Sequence, residues 1–134
     1  MGAKFLVSAC LAVVATALSV TDSQAGTPRC DDAAVVGSVE SRFTRNNRQF
    51  LKMDLSIADI GIIRETGFQP TDETHRVERR FCHATVTTSD GFGRNLWYLI
   101  ESTWGFAGLG SSVEFCADGL DPWHVYGARC ASLR

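Results

Sequence analysis

Cys30, Cys82, Cys116 and Cys130 are spread over most of a 134-residue chain, and two crosslinks among them would leave few ways to fold it. Four cysteines in a short chain with an export-type leader imply two disulfides, with three possible connectivities. No two of the four stand at the two-residue spacing of a zinc knuckle or a redox motif, so no metal site is expected. The pairing expected from strand positions is Cys82 with Cys116, strand to strand, and Cys30 with Cys130, tying the chain ends. In the loop-entropy description those crosslinks would contribute roughly 4 and about 4.7 kcal/mol. Against a typical net stability of about 5–15 kcal/mol, the scaffold then depends on oxidation.

The fifth cysteine, Cys10, lies in an N-terminal stretch with the features of a secretory leader. Lys4 supplies the positive start, Phe5 to Val20 is almost wholly apolar, and Ser23-Gln24-Ala25 suits cleavage before Gly26. Val7-Ser8-Ala9-Cys10 resembles a lipoprotein box but stands ahead of most of the apolar run, which makes lipidation the minor option. The run is shorter than the roughly 20 residues of a spanning helix, so no membrane span is expected. Residues 1–25 are therefore read as a signal peptide and 26–134 as one periplasmic or secreted domain. The formal charge of −2 and the lack of a basic tract argue against nucleic acid as a partner.

After that leader, Asp31 or Asp32 can cap a helix predicted from about Asp32 to Asn47, with Val36, Val39 and Phe43 on one face and Phe50 two turns on. Gly37 either weakens this helix or allows a close approach to a sheet. Asn46-Asn47 is its expected terminator. Leu55 to Phe68 reads as a strand with a bulge near Gly61, and Gln69 to His75 as a polar surface connection. A hairpin follows, with arms Phe81 to Thr88 and Leu96 to Glu101 around the turn-forming Ser89 to Asn95. Along the first arm Cys82, Ala84 and Val86 share one face and Phe81, His83 and Thr85 the other; along the second, Leu96, Tyr98 and Ile100 oppose Trp97, Leu99 and Glu101. Both faces of the hairpin are partly apolar, which predicts the helix on one side and a second cover on the other. Val113 to Ala117 is a last short strand, Asp118 to Pro122 a turn, and Trp123 to Tyr126 an expected edge strand. The sum is an α+β fold, one N-terminal helix packed on a three- or four-stranded antiparallel sheet.

Chemistry-bearing residues are few. His75, His83 and His124 fall in three separate segments without ligand spacing. Glu101 ends an apolar strand, where burial would raise a carboxyl pKa, so Glu101 and His83 form the candidate acid–base pair. No Gly-x-Ser-x-Gly elbow occurs, and the Gly105 to Ser112 loop lacks the Gly-Lys-Ser/Thr of a phosphate cradle, so no cofactor is expected. Aromatics are richer: Trp97, Tyr98, Trp104, Trp123 and Tyr126, with His124, crowd the C-terminal part. Those residue types anchor protein or small-molecule ligands when exposed and fill the core when not.

The order of elements, with Arg80-Phe81-Cys82 entering a strand and Pro122-Trp123 before the last segment, resembles the cystatin layout, a helix wrapped by an antiparallel sheet. That resemblance implies a wedge that enters papain-type proteases, to which Gly26 and Pro122-Trp123 would correspond; the middle Gln-x-Val-x-Gly hairpin has no counterpart in Ser89 to Asn95. The hairpin and the tail Asp121 to Gly127 also look like those of small exported alphaproteobacterial proteins, which implies a compartment and not an activity. Three functions are thus carried forward: a non-catalytic binding module for a protein or small-molecule ligand, a cone-pocket hydrolase or isomerase built on Glu101 and His83, and a protease or lysozyme inhibitor.

Overall fold

In the computed structural model of the chain, the described residues are 26–102 and 111–134. Residues 1–25, the expected leader with Cys10, and residues 103–110, which include Trp104, lie outside them. Asp32 caps helix α1 (Ala33–Asn46), its carboxylate accepting from the backbone N–H groups of Ala34 and Val35. That satisfies two of the donors left orphaned by a helix start. The buried stripe is Val35, Val39 and Phe43, at strict i, i+4 spacing, so Val35 replaces the expected Val36, which is only half-buried. Gly37 faces open space and is not a point of close approach.

The helix does not stop at Asn46-Asn47. The Asn47 side chain donates to the Phe43 carbonyl at 2.8 Å, and the chain widens into one π-helical turn, Asn47–Leu51, ended by Lys52 at φ 57°. A wider turn rotates the residues beyond it off the α-helical stripe, which leaves Phe50 in solvent rather than beneath Phe43.

Strands β1 (Ile57–Gln69), β2 (Arg79–Thr88), β3 (Gly93–Ser102) and β4 (Ser111–Ala117) form one antiparallel sheet in the order β1-β2-β3-β4. The bulge expected near Gly61 is present as a register shift between Ile60 and Ile63, with further shifts on either side of it. Between β2 and β3 the turn is Ser89 to Phe92, shorter than expected, because Arg94 and Asn95 pair with Val86 and Thr85. Asp90 organises it, accepting from the Thr88 hydroxyl and the Phe92 N–H, while Gly91 takes φ 85°.

Cys82, Ala84, Val86, Leu96, Tyr98, Ile100, Val113 and Ala117 bury against α1. On the opposite face Leu99 and Cys116 pack with Cys130 and Leu133 of the C-terminal segment, flanked by Phe81, Trp97 and Tyr126. The second cover predicted for the hairpin is therefore the tail of the chain itself. That tail winds as 3-10 turns over Ala128–Leu133, kinked where Arg129 and Cys130 both adopt left-handed φ.

Both disulfides differ from the expected pairing. Cys30 joins Cys82, and Cys116 joins Cys130, each with Cα atoms 5.7 Å apart. The register explains why Cys82 cannot meet Cys116: it stands opposite Tyr98, on the helix side, whereas Cys116 stands opposite Trp97, on the tail side. Strand β3 also separates them by two strand spacings, about 9.5 Å, beyond disulfide reach. The expected edge strand at Trp123 to Tyr126 is likewise replaced by turns. Asp121 accepts from the N–H groups of Val125 and Tyr126, so those donors are satisfied locally and unavailable to a ladder.

Candidate functional site

The end of α1 and the loop after β4 enclose an open, mostly apolar cleft of about 360 Å³. Phe43 is fully buried and Phe115 tilts against it, ring centroids 6.3 Å apart. The Arg42 guanidinium lies over the other aromatic of that pair, Phe115, at 5.6 Å, and also donates to the Val113 carbonyl. From the π-helical turn come Phe50 and Leu51; from the loop come Leu120, Trp123, Val125 and Tyr126. Three of these are left largely in water: Phe50 is 57% exposed, Trp123 65% and Val125 69%.

Asp121 is the organiser of the loop wall. Its two carboxylate oxygens accept from successive backbone N–H groups at 3.0 Å, and its carbonyl accepts from His124. His124 in turn adopts φ 51° and points its backbone into a second turn through Gly127. Each carboxylate oxygen thus holds one loop N–H, and the carboxylate remains among the groups lining the cleft. Burial pushes the Tyr126 phenol above its ordinary pKa, with the negative charges of Glu114 and Asp121 adding to the effect and Arg42 opposing it. The phenol therefore stays a neutral hydroxyl across the physiological range. The polar groups of the cleft are few: the loop-bound Asp121 carboxylate, the Asn46 amide, the Tyr126 hydroxyl and what remains of Asn47. Such a lining suits a neutral, largely apolar group with one or two hydrogen-bonding atoms.

Of the aromatic residues singled out from the sequence, Trp123 and Tyr126 line this cleft. Tyr98 is 2% exposed in the core, its hydroxyl donating to the Cys30 carbonyl at 2.8 Å. Trp97 lies on the tail side of the sheet, stacked on His83 at 4.2 Å and facing the Arg134 guanidinium at 5.8 Å. Its indole N–H is buried without a partner among the described residues. His124 is exposed and does not line the cleft, and Trp104 falls outside the described residues.

Glu101 and His83 are not brought together. Both project from the tail side of the sheet, but Glu101 stands opposite Arg79 and His83 opposite Trp97, four residues along the ladder. Four residues of strand is about 13 Å, too far for a shared proton. Glu101 instead pairs with Arg79 at 2.6 Å. His83 Nε2 meets the Asn95 side-chain oxygen at 2.9 Å, and the Asn95 amide donates to Asp118 at 3.2 Å. Among the described residues no cluster of three His, Cys, Asp or Glu side chains could hold a metal.

The cleft residues that the sequence reading passed over are mainly Phe43, Phe50, Leu51, Phe115 and Leu120. A signal was present in Phe50-Leu51, an apolar pair placed beyond the helix that it should have extended. Comparison of the chain with known protein families, with curated proteins and with solved structures finds no match.

Proposed function

We propose that this protein is an exported, non-catalytic binding module whose cleft takes a neutral apolar group of a small-molecule or protein ligand. The observation that carries this reading is the exposure of Phe50, Trp123 and Val125 around a cleft with an apolar floor. Large apolar side chains gain by burial, at about 25 cal/mol per Å², so their position in water at one site favours an occupant. Export is supported by the two disulfides, which persist in oxidising compartments.

The other functions have less support. Acid–base chemistry lacks a proton-sharing pair at Glu101 and His83. A cystatin-type wedge needs Gly26 and Pro122-Trp123 side by side. Gly26 lies against Glu78, whose carbonyl accepts from Ser102 N–H, whereas the turn follows Ala117, opposite Leu96. Leu96 and Ser102 are about 20 Å apart along β3.

Titration of the 15N-labelled oxidised protein with neutral aromatic and aliphatic fragments tests the proposal. Shift changes should centre on Phe50, Leu120, Trp123 and Val125, and Trp123→Ala should weaken binding about tenfold or more. Fragments that perturb no resonance, or perturb only the Trp97 face, would remove the basis of the reading.

A further inference from the structure

Three segments meet at the end of the sheet where β2 turns into β3 and β4 finishes opposite Leu96. The chain leaving the π-helical turn passes Met53 to reach Ser56, whose carbonyl accepts from the Ser89 N–H at 2.8 Å. Its own N–H donates to the Ser89 hydroxyl at 3.1 Å, which fastens this segment to the hairpin turn. On the other side of that turn the Arg94 guanidinium lies 5.7 Å from the Phe92 ring. It also lies against Gly119, where a Cβ would meet it at 3.5 Å, and Leu120, the next residue, lines the cleft. Hairpin tip and cleft are therefore neighbours on one end face.

Most of the exposed apolar bulk is gathered there. Among the described residues seven large hydrophobic side chains are exposed, and five belong to this end: Phe50, Met53, Phe92, Trp123 and Val125. The other two, Ile62 and Phe68, are carried by edge strand β1. Charges beside the five cancel locally. Asp54, next to Met53, is held by Arg48 at 2.6 Å, and Asp90, in the hairpin turn, by Arg94 at 2.9 Å. Asp121 and Lys52 add one charge of each sign. A face without net charge does not repel a second copy of itself, whereas it offers little to a strongly charged partner.

The area available fits the same occupant. An aromatic side chain covers about 150–250 Å² when fully buried, so at exposures of 41–69% the five present roughly 500 Å² of apolar surface. A stable specific interface buries about 800 Å² per partner, about 60% of it apolar, so this face supplies one partner's share. We infer that two copies of the chain meet by this end face, with Phe92 of each seated in the cleft of the other. Phe92 is 65% exposed on a turn already fixed by Asp90, so its phenyl group is presented without loop ordering on docking. It is also the kind of neutral apolar group that the cleft lining suits. Because tip and cleft share one end of the molecule, the exchange is reciprocal about a two-fold axis and closes at two copies. The inference rests on the binding-module reading and deepens it, naming a second copy as the protein ligand.

Sedimentation equilibrium of the disulfide-bonded protein is the test. A dimer is expected, with a dissociation constant that rises at least tenfold in Phe92→Ser and in Trp123→Ala and is unchanged in Ile62→Ser. All three side chains are exposed, and the amide spectra of the variants should stay native. A protein that is monomeric at every concentration, or a dimer that Phe92→Ser leaves intact, would overturn the inference. So would a dimer lost only in Ile62→Ser, which would move the contact to the β1 edge. Fragment titration of Phe92→Ser, in which the cleft is vacated, separates this proposal from the reading beneath it. Fragments that bind there while the wild type is monomeric defeat the dimer alone; a cleft that takes none removes both.

Discussion

Tyr98 ties three parts of the molecule through one side chain. It fills the centre of the helix-side core and donates to the carbonyl of Cys30, the residue whose sulfur bonds to Cys82 on the neighbouring strand. Removing the hydroxyl leaves that carbonyl without its donor. Tyr98→Phe should therefore destabilise the protein by about 1–2 kcal/mol, read from urea unfolding at neutral pH. Burial pushes the phenol pKa up to about 12, with the negative charge of Asp31 as the smaller cause. A raised folded-state pKa contributes stability that is fully present below the unfolded value near 10 and is lost as pH rises toward 12. Wild type and Tyr98→Phe should thus differ by a constant amount below about pH 10, and the difference should shrink above it. A difference independent of pH up to 12 would show that the phenolate is accommodated in the fold.

Among the elements, the two crosslinked loops differ in length and in what they hold. Cys30–Cys82 spans 52 residues and encloses α1 and β1; Cys116–Cys130 spans 14 and fastens only the tail. In the loop-entropy description the first contributes about 4 kcal/mol and the second about 3 kcal/mol. The Cys30→Ala/Cys82→Ala protein should accordingly be the less stable of the two double variants in denaturant melts. Non-reducing peptide mapping should recover one peptide pair for each disulfide. A Cys82–Cys116 peptide would contradict the strand register, since those side chains leave opposite faces of the sheet. The bulges of β1 belong to this level too. They bend an edge strand that carries exposed Ile62 and Phe68, which makes it a poorer template for pairing with another chain.

Taken as one body, the protein is a sheet clamped on both sides, by α1 on one face and by the C-terminal segment on the other, with a disulfide behind each clamp. Protection from solvent should follow that layering. Amide exchange at Tyr98, Leu99 and Ile100, which are buried in the middle of the sheet, should require global unfolding. Amides around the bulge at Asp59 to Ile63, on the exposed edge, should exchange by local opening and several orders of magnitude faster. Comparable rates in β1 and β3 would mean that the layers open together. The cleft is a product of the same arrangement, because its walls belong to both clamps, the end of α1 and the loop leading into the tail.

Local order was legible in the residues. An aspartate before a helical apolar stripe specifies a capped helix, although the stripe begins at Val35 and not at Val36, and alternation separated the two faces within each arm of the hairpin, Phe81 to Val86 and Leu96 to Glu101. The period of two leaves no freedom once one face is apolar. Even the second cover was implied by Trp97 and Leu99 opposite Tyr98 and Ile100. The pairing of the cysteines was not legible, because it depends on strand order and on which face each sulfur leaves, and both are set only when distant segments meet. Nor was the cleft: a π-helical turn that releases Phe50, and one aspartate that folds Trp123 and Val125 to the opposite wall, are local events whose meaning lies in their juxtaposition. Periodicity acts between neighbours in sequence, whereas crosslinks and concavities are made between neighbours in space.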